Sequence, residues 1–299
     1  MTSCVYSDSF DTLAKVMIPS IEQLHHDLIE RRYFADEGLL TAVHLALVLE
    51  RPLLVEGEPG VGKSQLALTL AQVLGRELIR LQCYEGIDAG QALYEWDYPK
   101  QLLHVRAAEA EGTAHDIYGD AFLLERPLLA AVRSGDRAVL LIDEIDRADS
   151  EFEAFLLEFL SAFQITIPER GTTTAERPPV VIITSNRTRE LHDALKRRCL
   201  YHWIPFPEPE RERQIIQAQA PGIDEAAAQA LVQAVTDVRG LRLIKPPGTA
   251  ETIDWARGAS VLANEGDTWP HALRRSLGLL LKEQEDIAVA LTDVEALRA

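Results

Sequence analysis

An octapeptide at residues 57–64, GEPGVGKS, constrains the fold of this chain more than any other feature. It fits the pattern G-x-x-x-x-G-K-S/T, follows a short apolar run at 53–55 that is typical of a buried strand, and precedes a good helix former at 65–71. Strand, glycine loop and helix in this order predict a phosphate-binding loop, whose backbone N–H groups and helix N-terminus face the phosphates of a nucleotide. The alternative, a glycine turn that happens to carry Lys-Ser, is disfavoured by both flanks.

The residue types of this loop predict how the phosphates are held. Lys63 supplies a point charge for the β- and γ-phosphates, and the Ser64 hydroxyl is predicted to ligate Mg²⁺. The residues predicted to bind the nucleotide are Gly57, Glu58, Pro59, Gly60, Val61, Gly62, Lys63, Ser64 and Gln65. The sequence therefore predicts a protein that binds a nucleoside triphosphate.

A second apolar run, residues 138–142, ends in Asp143 and Glu144. Such a run is typical of a central parallel strand, and open α/β sheets bind ligands at the carboxyl ends of these strands. Asp143 is predicted to hold the Mg²⁺ through its water shell, and Glu144 to polarise the water that attacks the γ-phosphate. Taken alone, the run would favour a strand followed by a solvated acidic turn. Downstream of a phosphate-binding loop, the hydrolytic interpretation is favoured.

Two further elements carry polar residues after apolar runs. A third strand, predicted at 180–184, leads to Asn186, whose amide is placed to orient the same water. Further on, Arg197 and Arg198 lie at the end of a predicted helix, just before a strand at 201–204. Exposed arginines there usually complement the helix dipole. In a nucleotide hydrolase they can instead extend into a neighbouring subunit and stabilise the charge on its γ-phosphate.

In this order the motifs resemble the AAA+ ATPase superfamily and, within it, the MoxR family. GEPGVGKS resembles the Walker A loop, LLIDEID at 140–146 the Walker B strand, ITSN at 183–186 sensor 1, and KRRC at 196–199 an arginine finger. The resemblance spans roughly residues 35–290. It is closer still to the CoxD-like ATPases associated with carbon monoxide dehydrogenase maturation, through the segments 140–148, 197–203 and 245–255.

The resemblance implies an α/β fold, with an AAA+ P-loop core whose parallel sheet has the strand order 5-1-4-3-2 and a small C-terminal helical lid. It implies ATP and Mg²⁺ as cofactors and roles in catalysis for Glu144, Asn186 and the finger arginines. Arg198 is favoured as the finger over Arg197 because it directly precedes Cys199. The metal ligands implied are Ser64 and Asp143.

The same resemblance implies partners. AAA+ ATPases of this kind form homo-oligomeric rings, expected here to be hexamers. The MoxR-like relatives act as chaperones or remodellers in metalloenzyme maturation, together with a von Willebrand factor A domain protein. The client implied by the CoxD-like segments is carbon monoxide dehydrogenase, at its molybdenum–copper site.

One stretch departs from the family pattern. Many MoxR relatives carry a sensor-2 arginine at the start of a lid helix, where this chain offers Ala250. Lys245 is a candidate for contacting the γ-phosphate in its place, but a lysine on a solvated loop is an equally good interpretation.

The domain organisation follows from composition and from the resemblance. Residues 1–34 are predicted to form a polar, partly helical leader, and a Pro-rich stretch near residue 206 indicates a change of domain. The predicted units are an AAA+ core at 35–206, with a helix-2 insert at about 84–118 and a pre-sensor-1 hairpin at about 164–178, and a helical lid at 207–299. The lid helices are predicted at 211–216, 224–238, 250–264 and 270–283.

The insert contains alternating aromatic residues, Tyr94, Trp96 and Tyr98. Tyrosine and tryptophan are favoured interface anchors, so this run is a candidate partner site. Packing of the same rings onto the core is an alternative of at least equal weight.

Charge and composition exclude other classes. A formal net charge of −17 argues against binding to nucleic acid or to an anionic membrane, which both need basic surfaces. The three cysteines have no metal-type spacing and fit reduced thiols in a cytoplasmic protein. Charged residues and a proline interrupt the longest apolar region, 39–55, so no transmembrane segment is expected.

Three other functions compete with this interpretation. A DNA-directed motor of the same fold predicts basic pore elements, whereas the predicted hairpin carries two acidic and two basic residues. A binding module without hydrolysis is disfavoured by the intact Asp143-Glu144 pair. A small-molecule kinase is disfavoured by the extra lid and the tandem arginines.

Overall fold

The strands form one parallel sheet and two short antiparallel pairs in a computed structural model, which describes residues 18–111 and 116–294. The strands in these residues are β1 Leu53–Gly57, β2 Glu77–Gln82, β3 Tyr94–Trp96, β4 Leu123–Glu125, β5 Ala138–Asp143, β6 Gln164–Ile167, β7 Gly171–Thr174, β8 Val180–Ser185 and β9 Leu200–Ile204. The parallel sheet has the order β2-β5-β8-β1-β9. Counted within this sheet alone, the order is 5-1-4-3-2, so the predicted fold and strand order are confirmed.

The sheet separates two apolar cores, flanked by helices. The described helices are α1 Ile21–Glu30, α2 Glu37–Val48, α3 Lys63–Leu74, α4 Ala89–Leu93, α5 Tyr98–Glu111, α6 Pro127–Ser134, α7 Ser150–Ala162, α8 Asp193–Arg198, α9 Pro209–Gln219, α10 Glu225–Arg239, α11 Thr249–Asn264, α12 Trp269–Arg275, α13 Leu277–Leu280 and α14 Gln284–Asp293. Alternate residues of a strand point to opposite faces. In β5, Leu140 and Ile142 therefore pack with α6 and α7, whereas Val139 and Leu141 pack with α2 and α3.

Several helices begin where a side chain can cap the free backbone N–H groups. Asp36, Asp149 and Asp224 precede α2, α7 and α10, and each accepts a hydrogen bond from the backbone N–H three residues on. Pro209 begins α9, where a missing N–H costs nothing, so this helix starts two residues before the predicted boundary.

The first described helix belongs to the core. Leu24 and Leu28 of α1 are fully buried, in the cluster that also contains Leu66 and Leu70 of α3. The predicted boundary at residue 34 therefore does not separate two packing units, because α1 supplies part of the apolar core on this face of the sheet. The leader residues 1–17 lie outside the described residues.

The lid is built around Trp255 of α11, which is fully buried and donates its indole N–H to the Leu273 carbonyl at 3.0 Å. The single helix predicted at 270–283 is wrong, since α12 and α13 are two short helices separated at Ser276. The Ser276 hydroxyl donates to the Ala272 carbonyl at 2.7 Å, a bond that competes with the helix ladder. Helix α14 was not predicted.

Two short antiparallel strand pairs accompany the parallel sheet. The insert contains α4, β3 and α5, and β3 pairs with β4 in antiparallel register, while residues 112–115 lie outside the described part. The hairpin is formed by β6 and β7, with Thr166 paired to Thr172. The aromatic residues of the insert are found both in the core and at the surface. Trp96 is only 7% exposed and packs in the core, whereas Tyr98 is 66% exposed.

Candidate active site

The phosphate-binding loop connects β1 to α3, and its backbone requires glycine. Gly60 and Gly62 have φ angles of 78° and 95°, a region that other residues rarely adopt. A Cβ on Gly57 would lie 2.4 Å from the Ile204 carbonyl oxygen of the neighbouring strand β9. The loop is therefore held tightly against the sheet at its first glycine and turned by the other two.

The Lys63 side chain is buried across this loop. Its Nζ donates to the carbonyl oxygens of Gly57 and Glu58, both at 2.8 Å. Burial lowers the pKa of Lys63, and the nearby carboxylates, of which Asp146 is the strongest, oppose the shift. A cation already desolvated in this way is well placed to donate to phosphate oxygens in place of these carbonyls.

Asp143, at the end of β5, is almost completely buried and fully hydrogen-bonded. Its Oδ1 accepts from the hydroxyls of Ser64 at 2.7 Å and Thr184 at 2.6 Å. Its Oδ2 accepts from Arg80 Nε at 3.0 Å and Nη2 at 2.5 Å. The predicted metal residues Ser64 and Asp143 are thus in direct contact, with Arg80 as the counter-ion of the carboxylate.

Glu144 follows Asp143 with a left-handed backbone, φ 54°, which is uncommon for a residue with a side chain. Its backbone N–H donates to the Thr184 hydroxyl at 2.9 Å, which fixes this turn. The carboxylate oxygen Oε2 accepts from Gln82 Nε2 at 3.0 Å and lies 3.2 Å from Arg147 Nη1. Strained backbone of this kind is common at active sites.

These residues surround a cavity of about 250 Å³ at the carboxyl edge of the sheet. It is lined by Pro59, Gly60, Gly62, Lys63, Ser64, Gln65, Asp143, Glu144, Thr184, Asn186 and Ala250. Of the residues predicted to bind phosphate, metal and the attacking water, all but Gly57, Glu58 and Val61 line this cavity. We refer to this space as the phosphate cavity.

The two predicted finger arginines are not among the described residues that line the phosphate cavity. Both are exposed at the end of α8, and the Arg198 guanidinium donates to the Ser161 hydroxyl of α7. Arg51 donates to the Arg197 carbonyl at 2.9 Å and so holds the end of this helix. Their position is compatible with either interpretation that the sequence left open.

A second cavity, of about 350 Å³, continues from the phosphate loop toward the lid. Its lining comes from the segment before α2, the loop itself, the end of β9, α9 and α11, and includes Tyr33, Val61, Ile204, Ile215 and Ile253. The Tyr33 hydroxyl donates to the Gly62 carbonyl at 3.4 Å. Apolar walls next to a phosphate site suit the flat ring of a base, and we refer to this space as the base cavity.

The lid approaches the phosphate loop at the start of α11. Ala250 donates its backbone N–H to the Gly60 carbonyl at 3.0 Å, and it lines both cavities. A Cβ on Gly248 would lie 2.4 Å from the Pro59 carbonyl oxygen. Lys245 is exposed and, among the described residues, lines neither cavity, while its backbone N–H donates to Asp286 at 3.1 Å.

Several of these residues were missed in the sequence. Arg80 and Gln82 lie two apart on β2, hence on one face, and the register pairs Gln82 with Asp143. The signal available in the sequence was this pair of polar residues, two apart in the otherwise apolar segment 78–83. Asp146, which accepts from Asn186 and Thr188 backbone N–H groups at 3.1 and 3.0 Å, was read only as part of an acidic turn. No motif or pattern in the sequence indicates that Tyr33 or Ile253 lines a cavity.

Comparison with known proteins identifies this arrangement. Residues 52–199 match the family model of the AAA domain (dynein-related subfamily). This segment is the AAA domain of a P-loop ATPase. Protein NorQ of Paracoccus denitrificans is 25% identical over 222 residues, which cover 72% of this chain and 74% of NorQ. Protein CbbQ of Hydrogenophilus thermoluteolus is 25% identical over 198 residues, 64% of this chain and 66% of CbbQ.

Solved structures agree on the fold of this AAA+ ATPase. A RuvB mutant of Thermotoga maritima superposes with a TM-score of 0.52 at 16% identity, over 90% of this chain and 72% of RuvB. At this identity the likeness concerns the fold alone. Within residues 18–111 and 116–294, no helix has the length and apolar character that crossing a bilayer requires.

Proposed function

We propose that this AAA+ ATPase is Mg²⁺-dependent and works as a ring, using ATP hydrolysis to remodel a protein client during metalloenzyme maturation. The phosphate cavity carries the chemical part of the proposal. It places Lys63, Ser64 and both carboxylates of the Asp143-Glu144 pair around one space. Phosphoryl transfer needs positioning and charge stabilisation more than covalent chemistry, and this set supplies both.

The donors at Asp143 fit a magnesium ion. Mg²⁺ prefers hard oxygen ligands and keeps several waters, so a hydroxyl and a carboxylate in direct contact, Ser64 and Asp143, suit it. When bound, the ion would neutralise charge on the β- and γ-phosphates. Lys63 would exchange its two carbonyl contacts for phosphate oxygens. Glu144 would accept a proton from the attacking water, which the Asn186 amide would orient.

The position of Arg197 and Arg198 supports a ring. Both lie outside the phosphate cavity of their own subunit, at an exposed helix end. A second copy could receive them at its γ-phosphate, where an arginine finger supplies transition-state stabilisation. AAA+ ATPases typically assemble as oligomeric rings, and we propose a hexamer.

The client side of the proposal is supported by the insert. Helix α5 exposes three large side chains, Tyr98, Leu102 and Leu103, which are 66%, 54% and 67% exposed. Clustered exposed apolar residues mark interaction surfaces. The proposed partners are a von Willebrand factor A domain protein and an apo-metalloenzyme. The CoxD-like segments favour the molybdenum–copper site of carbon monoxide dehydrogenase as the specific client.

The test is an ATP-dependent pulldown. Glu144→Gln protein, which should hold ATP without turnover, is used to capture partners, with and without a Leu103→Asp change on α5. Val261→Asp, at a similarly exposed site on lid helix α11, is the matched control. We expect an apo-metalloenzyme or a von Willebrand factor A protein, captured only with ATP and lost with Leu103→Asp alone.

Two outcomes would contradict the proposal. Capture that does not depend on ATP would separate the partner from the nucleotide cycle. Recovery of nucleic acid in place of a protein would support the rival DNA-directed motor, despite the net charge of −17.

A further inference from the structure

The carboxylate of Asp143 has an exposed cation as its partner. The Arg80 side chain is 55% exposed, whereas the Asp143 side chain is 2% exposed, and their closest atoms lie 2.5 Å apart. A buried carboxylate without a counter-charge is strongly disfavoured. Arg80 therefore supplies the counter-charge of the buried Asp143 carboxylate.

Hydrogen bonding leaves Asp143 with little capacity for another partner. The described residues place two hydroxyls on Oδ1 and two N–H groups of Arg80 on Oδ2. A carboxylate has about four acceptor positions in all. To accept a water of the magnesium ion, Asp143 must give up one of these donors.

Arg80 is the donor that can leave at the smallest cost. Thr184 is buried and holds the backbone of Glu144, and Ser64 is the proposed metal ligand. The guanidinium, by contrast, is already more than half in solvent and can rotate away on its flexible stem. Its charge also repels a divalent cation at this distance.

We propose that Arg80 is the resting counter-ion of Asp143 and competes with Mg²⁺ for it, so that metal entry requires Arg80 to leave Oδ2. The proposal rests on the metal role proposed above for Asp143. It makes Arg80 a positioning residue that sets the metal affinity of the site and does not touch the nucleotide.

Departure of Arg80 from Asp143 also changes the hydrogen bonding around the Glu144 carboxylate. Its Nη2 donates to Gln82 Oε1 at 2.5 Å, and Gln82 Nε2 donates to Glu144 Oε2 at 3.0 Å. Because one amide joins the two acids, release of the guanidinium frees Gln82 to reorient. Metal entry at Asp143 is thereby linked to the hydrogen bonding of Glu144.

The test measures metal binding without turnover. Glu144→Gln protein with a stoichiometric nonhydrolysable ATP analogue is titrated with Mn²⁺, and free Mn²⁺ is followed by electron paramagnetic resonance. Arg80→Met should bind Mn²⁺ about tenfold more tightly, because a competing unit charge is removed. Arg80→Lys, which keeps the charge, should stay near the parent protein. Analogue affinity in EDTA should be unchanged in all three.

A second readout is thermal stability without metal or nucleotide. Arg80→Met should unfold at a lower temperature than the parent, and saturating Mn²⁺ with the analogue should remove the difference. Should Arg80→Met fail to fold, Arg80→Gln keeps hydrogen-bond donors without the charge and is expected to show the same tenfold tightening.

The contradicting results are distinguishable. Weaker or unchanged Mn²⁺ binding in the uncharged Arg80 variants, with normal dependence on Asp143, would overturn this inference alone. Mn²⁺ binding that an added Asp143→Asn change does not affect would overturn the proposed metal site, and the inference with it.

Discussion

The two ends of the nucleotide cleft are built in different ways. Apart from Ala250 of the lid, the phosphate cavity is lined from the phosphate loop and from the carboxyl ends of adjacent strands of one sheet. Hydrogen bonds of 2.6–3.0 Å join Ser64, Thr184 and Arg80 to Asp143. The base cavity collects its lining from segments far apart in the chain, on both the core and the lid. The residues proposed to act on the phosphates are therefore held mainly by one sheet. The residues that line the base cavity come from both the core and the lid.

The junction itself is polar. Arg211 of α9 lies 3.1 Å from Asp36, the residue that caps α2, and donates to the Phe34 carbonyl. Arg32 donates to the Ala218 carbonyl at 3.0 Å, and the Gln219 side-chain amide donates to the Arg32 carbonyl at 3.4 Å. Because these contacts lie beside the base cavity, occupation of that cavity and the position of the lid are expected to depend on each other.

The largest effects should arise at the phosphate end. Lys63→Ala should abolish nucleotide binding, because it removes the only cation in the phosphate loop between residues 57 and 64. Glu144→Gln should keep binding but lose about 10²–10⁴-fold in turnover, the usual contribution of a general base. Isothermal titration with ATP and a phosphate-release assay separate the two variants. Undiminished hydrolysis by Glu144→Gln would show that another residue is the base.

The next effect tests whether the phosphate end is complete within one subunit. Arg198→Ala should lose about 10³-fold or more in turnover if it serves as a finger. Mixed with inactive Glu144→Gln protein, it should recover part of the activity, since some sites then combine an intact glutamate with an intact arginine. Arg197→Ala is the matched variant and should need no such rescue. If the protein stays monomeric in the presence of ATP and hydrolyses it at full rate, no arginine from a neighbouring subunit takes part in hydrolysis.

The two ends also differ in how far the sequence predicts them. The phosphate cavity is encoded in contiguous motifs, and the strand order that assembles them was predicted correctly. Arg80 and Gln82 reach the Asp143 and Glu144 carboxylates only through the register of β2 against β5, which no motif encodes. The base cavity depends on tertiary packing of residues such as Tyr33 and Ile253, so single-sequence patterns do not show it.

Other differences arise from local competition that patterns do not weigh. The break between α12 and α13 lies at Ser276, whose hydroxyl bonds back to the Ala272 carbonyl. Burial of Trp96 follows from the pairing of β3 with β4, which places this ring against the core and leaves Tyr98 outside. The alternating aromatic pattern alone does not distinguish a ring packed in the core from a ring exposed at the surface.

A smaller effect is expected at the base end. Ile253→Ala removes three carbon groups from the lid wall of the base cavity and, at roughly 0.8 kcal/mol for each, should weaken ATP binding by up to about fiftyfold. The turnover number at saturating ATP should stay near wild type, because the phosphate cavity is intact. Val261→Ala, exposed on the same helix, is the control. A fall in turnover at unchanged ATP affinity would contradict the division between the two ends.

The smallest expected effect concerns pH at the core–lid junction. Burial lowers the pKa of His202, the nearby Asp36 carboxylate opposes this shift, and Arg211 adds to it. Asp36 Oδ1 lies 3.6 Å from His202 Nε2, and Arg211 bonds the other oxygen of the same carboxylate. These three groups therefore decide whether the junction tolerates a charged imidazole.

The sign of this effect follows from the lowered pKa. Above the unfolded value of 6.5, His202 is neutral in both states and costs nothing. As pH falls below 6.5, the unfolded chain takes up the proton first, so the free energy of unfolding decreases until the folded pKa is passed. For a half-buried group in a chain of this size, the melting temperature should fall by at most about 2 °C. His202→Gln should flatten this dependence in thermal scans between pH 7 and pH 5, and an unchanged slope would show that another group titrates there.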